Sequence, residues 1–362
     1  MEQRALDWSG YTVAPIGMGA GTFGREIDEE TSLRVMDYAL EKGITFIDTA
    51  EMYGEDGASE RILGRWIRSR GCRDEVTLST KVSTGNSAEN IARAFKGSLE
   101  RLQLDSVDIL KLHKYDPEAE ANETMAAMTA EVEAGRVQVI GCSNYSAEQL
   151  REALDVSDAG GYMRFEIIQP PYSLVRREGE EELFPLCLKE AVGITAYSPL
   201  AAGFLTGKYT PDRGTIPEGT RFDISPFNAN IYFSDRNFRA VERLRSKSEE
   251  LGIPMVKLAM AYAMTNPDIT SVLIGARTTG HIDNALEAQQ MGLDPRTAGG
   301  DVVLAGLIIP GPSRRGSDRY RWPLSLLLWD YRNEWYKDGI RSQLSTSMIA
   351  GSLDARRLIL EN

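Results

Sequence analysis

From about residue 44 to about residue 290 short β-branched runs alternate with longer amphipathic segments. No other feature constrains the fold as much, because consecutive strands joined through helices run parallel. Candidate strands are IGMGA (16–20), ITFID (44–48), VTLSTK (76–81), VDILKLH (107–113), VQVIGC (137–142), FEIIQ (165–169), GITAYS (193–198) and SVLIG (271–275). Helical periodicity marks DEETSLRVMDYALEKG (28–43), which has an acidic first turn and a terminal glycine, then residues 59–70, 87–102, 123–135, 146–155, 180–192 and 237–252. Eight strands, each followed by a helix, over roughly 250 residues are what a closed (β/α)8 TIM barrel requires. An open doubly wound sheet is the rival. Its fingerprint is a GxGxxG turn opening the first helix; GMGAGTFG (17–24) has the glycines, but the helical pattern starts several residues later. A tight loop after the first strand accounts for them.

Two stretches break the rhythm. Residues 203–236, after the seventh strand, are rich in Gly, Pro, Asn and Asp without periodicity, long for a barrel loop and therefore a candidate lid. After residue 293 the βα pattern stops, so the chain divides into a barrel, 1–293, and a divergent C-terminal extension, 294–362, of uncertain structure. The extension holds Trp322, Trp329 and Trp335, three of the five tryptophans, at a spacing that reads as a packing stripe.

Charge narrows the partners. With 41 basic against 53 acidic residues, a net of -12, the surface repels phosphates on average, which argues against nucleic acid or an anionic membrane as partner. Cys72, Cys142 and Cys187 form no CxxC pair and no cluster with the two histidines, so neither a disulfide framework nor a metal site is expected. No signal-like start and no run of about 20 apolar residues occurs. The expectation is a cytoplasmic protein.

In barrel enzymes chemistry gathers at the C-terminal ends of the strands. The second strand ends at Asp48, the third at Lys81 and the fourth at His113, and period-two alternation turns all three into the barrel mouth. Lys111 shares the facing of His113, and a buried lysine needs a carboxylate partner or a shifted pKa. Tyr53 follows Asp48 by five residues, in a glycine-containing turn able to bring the phenol over the same point. A serine or cysteine nucleophile beside a base is absent from this set, which argues against nucleophilic hydrolysis. A phenol beside an ammonium is expected to have its pKa drawn down towards neutrality and to protonate a carbonyl oxygen. Asp48 would keep Lys81 charged and aimed, and His113 would orient the carbonyl.

GITFIDTAEMYG (43–54), ASERILGRWI (58–67), STKVS (79–83), ILKLH (109–113), GCSNYS (141–146), YSPLAAGFLTGKY (197–209) and IGARTTGHIDNAL (274–286) together resemble the aldo-keto reductase superfamily, in its bacterial and channel-beta-subunit-like branch. The resemblance runs in order over roughly residues 10 to 290. It implies a (β/α)8 barrel, an NAD(P)-dependent oxidoreductase acting on a small carbonyl or hydroxyl substrate, and a catalytic tetrad of Asp48, Tyr53, Lys81 and His113. It also implies that Ser143, Asn144 and Gln169 bind the nicotinamide carboxamide and that Tyr197 stacks on its ring. Ser198, Leu200 and Gly203 would meet the pyrophosphate, and Gly275, Arg277, His281 and Asn284 the adenosine end. Arg277 suits a 2′-phosphate and so favours NADP(H), while His281 and Asp283 depart from the family pattern and keep NAD(H) open. NADPH-dependent reduction of an aldehyde or ketone leads; oxidation of a sugar or polyol and a cofactor-sensing binding subunit are the alternatives. Cys142, beside Ser143, reads as a small buried hydrophobe.

Overall fold

The computed structural model of the chain describes residues 3–6 and 9–291. Eight parallel strands close on themselves: β1 (Ile16–Gly19), β2 (Phe46–Asp48), β3 (Thr77–Val82), β4 (Ile109–Leu112), β5 (Val139–Ser143), β6 (Ile167–Gln169), β7 (Gly193–Tyr197) and β8 (Ser271–Ile274). Val272 of β8 pairs with Ile16 of β1, and this closure excludes the open sheet. The extension 294–362, its three tryptophans included, lies outside the described residues.

Around the barrel run α1 (Glu29–Glu41), α2 (Ala58–Arg70), α3 (Ala88–Leu102), α4 (Ala121–Glu133), α5 (Ala147–Gly160), α6 (Leu183–Lys189), α7 (Asp235–Leu251), α8 (Met255–Met264) and α9 (Thr279–Gln290). Their starts follow local chemistry. Asp28, Ser87, Ser146 and Ser234 each accept a first-turn backbone N–H, and Ser146 with Gln149 completes a capping box. The outer faces of the strands and the inner faces of the helices form one large core, with Trp66, Phe95 and Phe184 fully buried.

Inside the barrel the inward side chains change character with height. Phe46, Ile109, Val139, Ile167 and Leu273 form an apolar lower layer. Leu6 and Val13 join it from a short N-terminal hairpin, Arg4–Ala5 against Thr12–Val13, which stops the bottom of the barrel. Two residues further along the same strands the inward positions are Asp48, Lys111 and Gln169, all buried. The parallel register sets Lys81 beside Lys111 and Lys111 beside Gly141. An apolar plug therefore lies beneath a polar floor, and the floor lies beneath the mouth.

The long loop after β7 is more ordered than its composition suggests. It holds the short helical stretches Ala201–Thr206, Arg221–Ile224 and Phe227–Tyr232. Phe204, Tyr209, Phe222, Tyr232 and Phe233 pack there with Phe238 of α7, their ring centroids 4.5 to 6.4 Å apart. This aromatic cluster replaces the missing periodicity as the source of order.

Candidate active site

Asp48, Tyr53, Lys81 and His113 meet at the C-terminal mouth of the barrel. The Lys81 ammonium has three N–H groups and three contacts: Asp48 Oδ2 at 2.5 Å, the Thr49 carbonyl at 2.7 Å and Tyr53 Oη at 3.3 Å. The last contact makes the phenol oxygen an acceptor from the lysine and turns its own proton away from the ammonium. The Tyr53 ring meets the His113 ring edge-on at 5.6 Å, and Gly21 lies against its face, where a Cβ would stand 3.7 Å from the ring.

Asp48 is shared by two lysines. Burial alone would raise its carboxyl, but Lys111 and Lys81 together pull it down to about 2 and keep it ionised. Lys111 Nζ donates to Asp48 Oδ1 at 2.7 Å and to Gln169 Oε1, while Gln169 Nε2 donates to Asp48 Oδ2 at 3.2 Å. The carboxylate partner and the shifted pKa expected of an inward Lys111 are both present, since burial lowers the ammonium to about 8. Burial also lowers Lys81, against the pull of Asp48.

The expectation for Tyr53 is corrected. Burial, and then the Asp48 carboxylate, push the phenol above its ordinary value, outweighing the guanidiniums of Arg221 and Arg25. The phenol therefore stays protonated, which is the form able to donate. His113 is neutral, its pKa lowered to about 3 by burial and by the Lys81 charge. Ser83, the residue after β3 and in phase with Lys81, places its Oγ 2.6 Å from His113 Nδ1. With the Ser83 hydroxyl taken as the donor, Nδ1 accepts and the ring proton is assigned to Nε2.

Next to the tetrad, Ser143, Asn144, Gln169 and Tyr197 converge. Tyr197 Oη donates to Asn144 Oδ1 at 2.8 Å, Asn144 Nδ2 donates to the His113 carbonyl at 2.9 Å, and Ser143 Oγ donates to the Gln169 carbonyl at 2.8 Å. Gln169 uses one N–H and one carbonyl lone pair on Asp48 and Lys111, and its amide has one more of each. Asn144 has a positive φ of 59°, a conformation that turns its side chain across the strand ends and that tertiary contacts must hold.

Ser198, Leu200 and Gly203 lie at the start of the β7 loop, where Ser198, Ala201, Ala202 and Gly203 all have positive φ. Gly203 has a φ of 88°, which favours glycine, and a Cβ there would lie 3.7 Å from Lys208 Nζ, so this turn passes beside a cation. After β8, a Cβ on Gly275 would meet nothing within 4 Å, Arg277 Nη1 donates to the Gly219 carbonyl at 3.0 Å, and the Arg277 amide donates to His281 Nδ1 at 3.2 Å. His281 is lowered by burial and then by Arg277 and Lys208, which shows that the three basic side chains share one region. Asn284 follows, half-buried, on α9. Asp283 faces away, accepting from the Tyr38 hydroxyl of α1 at 2.6 Å. Cys142 is fully buried as a thiol.

Three contributors escaped the sequence. Ser83 stands in the quoted STKVS run and Lys208 in the quoted GKY, so phase and motif both offered a signal. Arg221 did not: it reaches Glu26 across 195 positions, and Glu26 also holds Arg25, which joins the β1 loop to the β7 loop. Among the described residues no group of His, Cys, Asp and Glu could hold a metal ion, and no helix is long and apolar enough to cross a membrane.

A closed (β/α)8 barrel with a buried Asp–Lys pair under a tyrosine and a histidine defines a class, and comparison with known proteins agrees: the chain belongs to the aldo/keto reductase family, whose profile matches residues 15–298. Its curated relatives include a probable voltage-gated potassium channel subunit beta of Arabidopsis thaliana, 33% identical over 80% of this chain and 91% of that protein. The uncharacterized oxidoreductase YrpG of Bacillus subtilis is 31% identical over 89% of this chain and 100% of its own length. A second probable channel subunit beta, from Oryza sativa subsp. japonica, is 33% identical over 80% and 91%. Membership places the chain among oxidoreductases that use NAD(P)H on small-molecule substrates.

Proposed function

We propose that the chain reduces an aldehyde or ketone to an alcohol with NADPH. The observation that carries this reading is the third N–H of Lys81 on the Tyr53 oxygen, which leaves a protonated phenol aimed out of the polar floor. The cofactor residues present fit a dinucleotide. Ser143, Asn144 and Gln169 would hold the carboxamide, Tyr197 would stack on the ring, and Ser198, Leu200 and Gly203 would cradle the pyrophosphate with Lys208. Gly275, Arg277, His281 and Asn284 would hold the adenosine end, the clustered cations favouring a 2′-phosphate. When bound, the reduced nicotinamide supplies a hydride to the carbonyl carbon.

The chain's own residues do the rest. His113, neutral and protonated on Nε2, donates to the carbonyl oxygen and fixes its position. As charge grows on that oxygen Tyr53 gives up its proton, and Lys81 donates to the phenolate that remains. Asp48 stays ionised throughout and holds Lys81 in place. Three buried free cysteines suit a reducing compartment, and we place the protein in the cytoplasm.

The test is a fluorescence titration with NADPH and NADH, followed by nicotinamide absorbance on a panel of aldehydes, ketones and aldoses. NADPH binding with consumption on simple carbonyls is the expected result. Turnover only of hydroxyl substrates with NADP would favour a sugar or polyol dehydrogenase. Binding with no turnover would favour a sensing role, for which the two relatives named as channel beta subunits speak. No nucleotide binding would overturn the proposal.

A further inference from the structure

Two buried ammoniums share one carboxylate in this site. Lys81 takes Asp48 Oδ2 at 2.5 Å and Lys111 takes Oδ1 at 2.7 Å, with all three side chains within 2% of complete burial. Among the described residues, the groups that act on Lys111 can be named. Asp48 comes from β2, Lys81 from β3, the Cys142 thiol from β5 and the Gln169 amide from β6, with His113 two residues on along its own chain and the Phe46 ring 5.9 Å below. Of these only Asp48 is anionic, since Cys142 is held as a thiol and His113 as a neutral ring. With both ammoniums protonated, the floor carries one positive charge more than Asp48 neutralises.

A nicotinamide ring is uncharged when reduced and cationic when oxidised. We propose that Lys111 is a positioning residue that selects the redox form of the cofactor: its surplus charge opposes the cationic oxidised ring, so the site holds NADPH in preference to NADP+. The inference rests on the cofactor reading above, in which Gln169, the hydrogen-bond partner of Lys111, meets the carboxamide. Lys111 acts through that amide and through Asp48. The charge is also conditional. Burial leaves Lys111 losing its proton near 8, so the bias holds below that pH and fades above it.

The measurement is the ratio of NADP+ to NADPH dissociation constants, by fluorescence titration at pH 7 and at pH 9.5. It needs no substrate, and the phosphates common to both forms cancel. In the wild type the ratio is expected to favour NADPH at pH 7 and to shrink at pH 9.5. Lys111→Met should lower it by on the order of tenfold at pH 7 and leave it flat with pH, while Lys111→Arg should keep it at both pH values. A purely structural lysine would weaken both forms alike and leave the ratio unmoved. An unchanged ratio in Lys111→Met overturns the inference while leaving the reductase reading intact. If Lys111→Met does not fold, a wild-type ratio that is the same at both pH values overturns it. Failure of the wild type to bind either form instead removes the cofactor reading on which the inference stands.

Discussion

Tyr53 is acceptor and donor at once, taking an N–H from Lys81 and keeping its own proton for the substrate. Tyr53→Phe should therefore lower kcat by about 10²- to 10⁴-fold while the NADPH titration stays as in the wild type. Full retained turnover would mean that another group protonates the oxygen. Ser83 acts one bond further back. Because the chain has only two histidines, ¹⁵N NMR can read the tautomer of His113 directly. The proton should sit on Nε2 in the wild type and distribute between both nitrogens in Ser83→Ala, whereas a wild-type ring protonated on Nδ1 would reverse the assigned hydrogen bond. Asp48, Lys81 and His113 were legible in sequence because each lies at or next to the C-terminal end of a strand and period two sets its facing. The direction of the Tyr53 shift was not, since burial and the field of Asp48 exist only after the strands have assembled.

The β8 to α9 turn and the β7 loop cooperate, the Arg277 guanidinium reaching the Gly219 carbonyl while sharing its surroundings with Lys208 and His281. Removing it in Arg277→Ala should weaken NADPH by roughly 1 to 3 kcal/mol and NADH much less, as read by paired titrations. Equal weakening would show that the arginine does not meet the 2′-phosphate. Helix packing offers a sharper mechanical test. A Cβ on Gly64 of α2 would stand 2.3 Å from the Leu102 carbonyl oxygen at the end of α3, and backbone cannot swing aside as a side chain can. Gly64→Ala should cost on the order of 1 to 3 kcal/mol in denaturant unfolding as the two helices part. The β7 loop shows where sequence patterning stops working. Its order comes from aromatic rings scattered over Phe204 to Phe238 and from Glu26, a residue of the first loop, and neither leaves a period to find.

Titration ties the mouth of the barrel to the stability of the whole protein. His113 has an ordinary value of 6.5 and is held to about 3 in the fold, so the unfolded chain binds the extra proton first as pH falls. Its contribution is complete above about 6.5 and is lost progressively down to about 3. Asp48, depressed from 3.8 to about 2, extends the loss at lower pH. Thermal unfolding midpoints should thus fall between pH 7.5 and pH 4.5 more steeply in the wild type than in His113→Gln. Parallel slopes would mean that His113 takes up its proton equally in the native and unfolded states.

The barrel itself was written in the order of hydrophobic runs, because alternation of strand and helix leaves parallel pairing as the way to bury both faces of the sheet. The meeting of Asp48, Lys81 and His113 followed, since the fold sends every strand end to one mouth. Only the assembled molecule decided how the charges there are shared. Nothing local to Lys111 says that it divides Asp48 with Lys81, or that Gln169 closes the ring, because those contacts span 58 to 121 positions and depend on the register of four strands. Local periodicity encodes which way a side chain faces, whereas the partner it finds, and hence its pKa, is a property of strands brought together from across the chain.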